Sequence, residues 1–416
     1  MCLNFILENI QKKISYYKKY FKDFRIKKVF IELFLSFFLC GKTLVSELAR
    51  FNTTLKATHN KADRLYRFLE RDDLPIESIW KDFLFFESYK VHEDSLIIYD
   101  FTDVSKTKRG DPDYHYMFEN IGKVHDGSEN VIHNGYAVRC SGVYRKGGFS
   151  PLQFKLCSYS DKDFTSENDW ITQDFDEIFA ATQHRGVLVL DRGFDRDIIL
   201  THLINNNYSF IMRITTKRHY MWGEKNRFFH VEEILRHIAR FGKGDRPVPG
   251  IYHTTVHLRF EDQPLTLVAV VPKRKTKKTN RKKEVMYFLT NRIIHAYSGA
   301  YQVLKDYLKR WSIENYFQMI KRKYDLEKFM IRKIKGILMM MTIVMIGTAI
   351  AYDEYNQLDN KQKKTVNSFI QSLRPKYKYY IIISFFLKIG KIIDAKAKMK
   401  ILDTSPFKNL FRHTYG

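Results

Sequence analysis

Acidic residues are scarce in this chain: 46 Asp and Glu face 71 Lys and Arg, giving a formal net charge of +25 over 416 residues. The sequence pI is about 9.6. An excess of that size, spread along the whole chain, implies a polyanionic partner, with nucleic acid first and an anionic membrane surface second. Cysteine is nearly missing as well. Cys2, Cys40, Cys140 and Cys157 form no CxxC pair, which excludes a zinc site and a disulfide framework and leaves ordinary reduced thiols. Only nine prolines occur, amid abundant Lys, Ile, Phe, Tyr and Asn. That composition fits an AT-rich coding bias, which accounts for the lysines but not for the shortage of acids. There is no GxxxxGK[ST] and no GxSxG, so neither nucleoside-triphosphate hydrolysis nor α/β-hydrolase chemistry is expected.

Uninterrupted apolar runs are also short. A spanning helix needs roughly 20 apolar residues. Residues 29–40, VFIELFLSFFLC, contain Glu32, and residues 337–351, ILMMMTIVMIGTAIA, make fifteen. Both are expected to be buried core helices, with no membrane partner. The first thirty residues are charged throughout, so no signal peptide is expected and the location is read as cytoplasmic.

What the chain does contain falls into blocks. Residues 1–90 read as a helical N-terminal domain, with Leu44, Leu48, Leu65, Tyr66 and Leu69 on its buried faces. It is either a DNA-end-binding bundle or a plain helical cap. SLIIYDF at 95–101 reads as a central strand with Asp100 at its polar end, followed by Thr102 and Asp103. NGYAVRCSGVYR and SPLQFKLCS, within 131–157, read as a hairpin turning at Gly147 and Gly148. Residues 168–184 form an amphipathic helix capped by Asn168 or Asp169. Val187 to Leu190 make a buried strand ended by Asp191, residues 195–206 a helix, and YSFIMRI at 208–214 another strand. A meander followed by alternating helices and strands is the order of a mixed α/β, ribonuclease-H-like core, assigned to 91–214 and 293–356. Acids at strand ends of such a sheet are where ligand sites gather.

Residues 215–292 interrupt that core as a β-rich insertion built on YHTTVHLRF, LTLVAVVPK and VMYFLTN. Its tip, KRKTKKTNRKK, places eight cations in 273–283: Lys273, Arg274, Lys275, Lys277, Lys278, Arg281, Lys282 and Lys283. A charge run is usually a solvated face, but on a β tip of a basic protein phosphate contact is at least as good a reading. Residues 357–416 form a basic, helical C-terminal region.

YLKRWSIENYFQMIK, residues 307–321, has no Gly or Pro and reads as one helix. At about 100° per residue, Tyr307, Arg310, Glu314 and Lys321 fall on one narrow stripe, while Trp311, Ile313, Phe317 and Ile320 point away from it. The bland reading is a solvated charged face. The alternative is a metal held beside phosphates, because Asp100, Asp191 and Glu314 are three carboxylates on three elements of one core. Hard divalent ions take oxygen ligands, and such a set can hold two of them for in-line displacement at phosphorus. Asp103 is the alternative to Asp100.

Tyr307, Arg310, Glu314 and Lys321 match in type and spacing the Y-(2)-R-(3)-E-(6)-K pattern, and the chain resembles DDE transposases of the insertion-sequence-4 family. Asp191-Arg192-Gly193-Phe194-Asp195 looks like that family's motif around its second catalytic aspartate, and Asp100 with Thr102 like the first. The resemblance covers roughly residues 40–350. It implies cut-and-paste transposition in a bacterial, nucleoid-associated setting, on double-stranded DNA with terminal inverted repeats and a DNA target, by a homodimer in the DNA complex. It implies two Mg²⁺ (or Mn²⁺) ions on Asp100, Asp191 and Glu314, and phosphate contacts from Tyr307, Arg310, Lys321 and Arg192. Trp311 is expected to pack in the core. Relatives that form a DNA hairpin carry an aromatic base-wedge in the strand before the catalytic helix. That position falls at Met286 with Tyr287 adjacent, a departure that puts the hairpin step in doubt. A ribonuclease-H-like nuclease without strand transfer, a non-catalytic DNA-binding remnant and a membrane-surface protein are the other readings.

Overall fold

The computed structural model describes residues 2–51, 58–106, 117–126, 131–145, 148–223, 227–242, 246–259, 261–272 and 284–360. The basic tip 273–283, Gly147 of the expected hairpin turn and most of the C-terminal region lie outside the described residues.

In chain order, five helices come first: α1 (Cys2–Tyr17), α2 (Phe24–Cys40), α3 (Val45–Phe51), α4 (Thr58–Leu69) and α5 (Ile76–Ser88). Strands β1 (Leu96–Ser105), β2 (Gly122–Asp126), β3 (Val131–Arg145) and β4 (Gly148–Cys157) follow, then α6 (Glu167–Thr182), β5 (Val187–Leu190), α7 (Asp197–Asn205) and β6 (Phe210–Ile214). The next stretch holds β7 (His219–Trp222), β8 (Arg227–His230), α8 (Val231–Ile238), β9 (Phe241–Gly242), β10 (Arg246–Pro247), β11 (Gly250–Leu258), β12 (Glu261–Val271) and β13 (Met286–Thr290). Three helices close the described chain: α9 (Tyr297–Leu308), α10 (Trp311–Arg322) and α11 (Ile334–Gln357). With β2 set apart as an extra strand between β1 and β3 in the chain, the succession β1, β3, β4, α6, β5, α7, β6, with an antiparallel β3–β4 pair and parallel β1, β5 and β6, is that of a mixed α/β, ribonuclease-H-like core.

The residues sort into two compact units: Met1–Glu87, Phe101–Phe164 and Glu314–Gly416 in the first, Ser88–Asp100 and Thr165–Ile313 in the second. In the first unit, α2 is apolar around most of its circumference. Asp23 caps it by accepting from the Arg25 N–H at 2.6 Å, and Gly41 ends it at φ 62, donating to the Phe37 carbonyl. Glu32 is buried there and compensated by Arg64 at 3.3 Å. α11 packs on α1, α2, α4 and β4. It is longer than its fifteen-residue apolar run, because it continues through Tyr352 and Glu354, the latter buried and paired with Lys13 at 2.8 Å. It is long and apolar enough to cross a membrane, and 83% of its most apolar stretch is buried inside the protein. Leu48, Leu65 and Leu69 are fully buried, whereas Leu44 and Tyr66 are only half-buried. β3 pairs antiparallel with β2 and β4, and its other edge runs along the second half of β1. β2 was not foreseen.

In the second unit, the first half of β1 pairs parallel with β5, and β5 with β6. β6, β13, β12 and β11 then alternate antiparallel, with β7 and β8 at the outer edge. β5 is Val-Leu-Val-Leu, at most 1% exposed throughout. Gly186, at φ +97, lets the chain enter β5, and a Cβ there would meet Ile97 at 2.6 Å. Helix α6 is capped by Ser166, which accepts from the Asp169 N–H, not by Asn168 or Asp169. The insertion is β-rich as expected but also carries α8 and the short strands β7 to β10.

Candidate active site

Parallel pairing fixes the first pair of acids. The register Leu96↔Val187, Ile97↔Leu188, Ile98↔Val189, continued by two residues, sets Asp100 beside Asp191 at neighbouring strand positions. Asp191 stands where β5 stops, and a 3-10 turn at Arg192–Phe194 carries the chain away. Beneath it Phe194 packs edge-on against Tyr99 at 5.5 Å, while the Tyr99 hydroxyl donates to buried Asp174 at 2.7 Å. The backbone holding both carboxylates is therefore anchored from below.

Two side chains close over the pair. Arg310, 7% exposed, donates to Asp100 at 3.0 Å and lies 3.6 Å from Asp191. The Tyr307 hydroxyl donates to the other oxygen of Asp191 at 2.8 Å, and its ring is held against Phe288 at 4.7 Å. Burial alone would raise the Asp191 carboxyl. The Arg310 guanidinium, the Arg192 backbone N–H, the Tyr307 hydroxyl and Arg213 outweigh it and hold the group below the usual carboxylate range. Burial, reinforced by Asp191, pushes the Tyr307 phenol up to about 12, so it stays a donor at neutral pH.

This geometry corrects the single-helix reading. α9 ends at Leu308 and α10 starts at Trp311. Between them the bonds tighten to i→i+3: Arg310 N–H to the Tyr307 carbonyl at 2.9 Å, Ser312 to Lys309 and Ile313 to Arg310 at 3.0 Å. The 100° stripe thus does not run through the motif. The break turns Arg310 inward onto the aspartates and leaves Trp311, expected in the core, 59% exposed.

Glu314 stands half-buried in the first turn of α10, in the first unit. In that unit Lys321 bridges Asp103 at 2.8 Å and Glu327 at 3.3 Å. Asp103 therefore lies inside β1 rather than past its end, partnered by a lysine, while Asp100 takes the arginine. Among the described residues, no three His, Cys, Asp or Glu side chains gather closely enough to hold a metal ion. Asp100 and Asp191 fit a divalent cation by donor chemistry: hard carboxylate oxygens from adjacent strands, already sharing one positive group.

The model of the Transposase DDE domain matches residues 92–350, from β1 into α11. The chain belongs to the DDE transposase family. Members of that family are DNA-processing enzymes that use divalent metal ions. A piggyBac transposase synaptic complex with hairpin DNA, solved by cryo-EM, is similar over 98% of this chain and 81% of its own, at 10% identity and a TM-score of 0.45. No curated protein matches in sequence.

Other residues singled out in this DDE transposase are dispersed. Arg192 is exposed on the 3-10 turn. Tyr287 is buried in β13 at 3% exposure, and Met286 beside it is half-buried. Two residues escaped the sequence. Asp195, the last of the Asp191 motif, has a fully buried carboxylate that accepts from the Thr215 N–H at 2.7 Å and ion-pairs with Arg218. It locks the turn that presents Asp191 to the end of β6; its place in the motif was the available signal. Lys106, 1% exposed at the end of β1, donates to the carbonyls of Glu327 and Phe329 at 2.7 and 3.0 Å. Burial pushes its ammonium down to about 7, against the pull of Glu327. No pattern marks a lone lysine for that role.

Proposed function

We propose that this DDE transposase is of the insertion-sequence-4 type and moves its element by cutting at terminal inverted repeats and joining the freed 3′-hydroxyl ends to target DNA. The observation that carries the reading is the register-matched Asp100–Asp191 pair closed over by Tyr307 and Arg310. Those two residues open the Y-R-E-K pattern, and their contacts with the two aspartates support the reading.

Asp100, Asp191 and Glu314 are the residues that would hold divalent ions, Mg²⁺ or Mn²⁺, as a pair. When bound, such ions supply Lewis acidity at the scissile phosphate and an activated water or 3′-hydroxyl. The rest is the work of side chains. Tyr307 orients the Asp191 carboxylate and stays protonated. Arg310 offsets the mutual repulsion of the two aspartates. Lys321 and Arg192 remain candidates for phosphate contact. Residues 1–90 serve as the end-binding region, 91–214 with 293–356 as the core, 215–292 as the insertion, and 357–416 as the basic tail. The active form is a homodimer on DNA in the bacterial cytoplasm. A hairpin intermediate would draw on Met286.

The test is direct. Purified protein, Mg²⁺ and a duplex carrying the element's own terminal repeat should yield released ends with 3′-hydroxyls, then products joined to a target plasmid. Cleavage with no joining would make the protein a nuclease; no cleavage at all would refute the proposal.

A further inference from the structure

In the first unit, the turn that ends α10 is gripped by the link between α2 and α3. Past Arg322 the N–H groups of Lys323 and Tyr324 donate to the Met319 carbonyl at 2.8 and 3.4 Å, so the helix runs directly into Tyr324. Asp325 then turns the chain at φ 55, a left-handed conformation that a residue with a side chain keeps only where its surroundings hold it. The α2–α3 link supplies that hold. The Thr43 N–H donates to the Tyr324 carbonyl at 2.8 Å. The Thr43 hydroxyl shares its proton between the Tyr324 and Asp325 carbonyls, at 2.9 and 3.0 Å. Thr43 is fully buried, and Lys42 beside it ion-pairs with the Asp325 carboxylate. From the end of β1, Lys106 takes the next two carbonyls of the turn, those of Glu327 and Phe329.

We infer that Thr43 is a positioning residue for Glu314: it fixes where α10 stops along its own axis, and so where Glu314 stands. Tyr316, Met319 and Ile320 are fully buried and set which face of α10 is turned inward. Burial of that kind is non-directional and tolerates sliding of the helix. Hydrogen bonds are directional, and those of Thr43 fall on the first carbonyls past the helix end. Glu314 lies ten residues before Tyr324, about 15 Å along a helical rod, and a rod passes a shift at one end to the other. A reacting site tolerates little of that, since a misplacement of about 1 Å can cost about a hundredfold in rate. The link to rate rests on the reading of Glu314 as a residue of the cleavage site; the grip on α10 does not.

Two full-chain variants test this. Thr43→Val deletes the hydroxyl but keeps the size of the side chain and the backbone N–H, and Thr43→Ser keeps the hydroxyl. The first measurement needs neither DNA nor metal. Amide hydrogen exchange over residues 317–325 should be about threefold or more faster in Thr43→Val than in wild type, the scale of one lost hydrogen bond, while β5 exchanges unchanged. The second is single-turnover cleavage of a terminal-repeat duplex in Mg²⁺ with binding measured in parallel. Thr43→Val should cut about tenfold or more slowly while its affinity stays within about twofold, and Thr43→Ser should restore both exchange and rate. A Thr43→Val protein that exchanges and cuts like wild type overturns the inference. So does loss of binding in step with cleavage, which marks a merely structural role, and so does a Thr43→Ser protein as impaired as Thr43→Val. If wild type cuts no duplex, the transposase reading fails instead, and the exchange data alone decide whether Thr43 fixes α10.

Discussion

Replacing Arg310 by Gln removes a cation shared by Asp100 and Asp191. Taking one partner from a buried ion pair costs about 3–5 kcal/mol. Arg310 is 7% exposed, but the two carboxylates are 22% and 33% exposed, so water recovers part of the loss. We expect about 2 kcal/mol at pH 7 without metal, which for a domain of about 150–250 residues lowers Tm by about 4–8 °C. The sign of the pH effect is specific. In the wild type Asp191 lies below its unfolded value, so its contribution is complete above the unfolded carboxylate range and is lost only as pH falls through the lower folded value. In the variant Asp191 keeps the Arg192 N–H, the Tyr307 hydroxyl and Arg213 but loses its largest attraction, so its folded value moves up, and acidification from pH 7.5 to 5.5 should favour the variant relative to the wild type. Mg²⁺ should also raise the variant's Tm more than the wild type's. Scanning calorimetry at both pH values, with and without Mg²⁺, checks all of this. A variant within about 1 °C of wild type at pH 7.5 without metal would show that Arg310 is not the counter-ion of the pair.

Tyr307→Phe deletes one donor to Asp191 and should cost about 1.5–3 kcal/mol, the scale of a hydrogen bond to a charged group, measured by urea unfolding. Lys106 has a folded value lowered to about 7, so the native state binds fewer protons than the unfolded one and stability should rise from about pH 7 toward pH 10. Lys106→Met should flatten that rise in a pH series of unfolding curves. Gly336→Ala would place a Cβ 2.2 Å from the Leu69 carbonyl oxygen at the start of α11, and should destabilise by about 1–3 kcal/mol in the same assay.

Much of the core was legible because its signals are local. Val187 to Leu190 is a short apolar run entered from Gly186 and stopped by an acid, which at that length fits a buried strand better than a helix. The parallel order then follows from the helices between strands. The site was legible as a list of residues but not as geometry. Nothing in YLKRWSIENYFQMIK breaks a helix, since it lacks Gly and Pro; the break at 309–310 accompanies a tertiary contact, Arg310 reaching two carboxylates far away in sequence. The same break exposes Trp311. β1 runs on through polar Asp100, Thr102 and Asp103 because Arg310 and Lys321 satisfy its acids, a compensation no window of sequence contains. The short strands β7 to β10 have too few residues to show alternation, and α11 hides its length because its last turns bury Tyr352 and Glu354 among apolar residues.

We propose that Asp100, Asp191 and Glu314 carry metal-dependent DNA cleavage. The measurement that tests it most directly is single-turnover cleavage of a terminal-repeat duplex in Mg²⁺ by wild type and Glu314→Gln, with binding to the same duplex measured in parallel. We predict that cleavage falls by at least three orders of magnitude while affinity stays within about threefold. A Glu314→Gln protein that cuts at the wild-type rate would contradict the account.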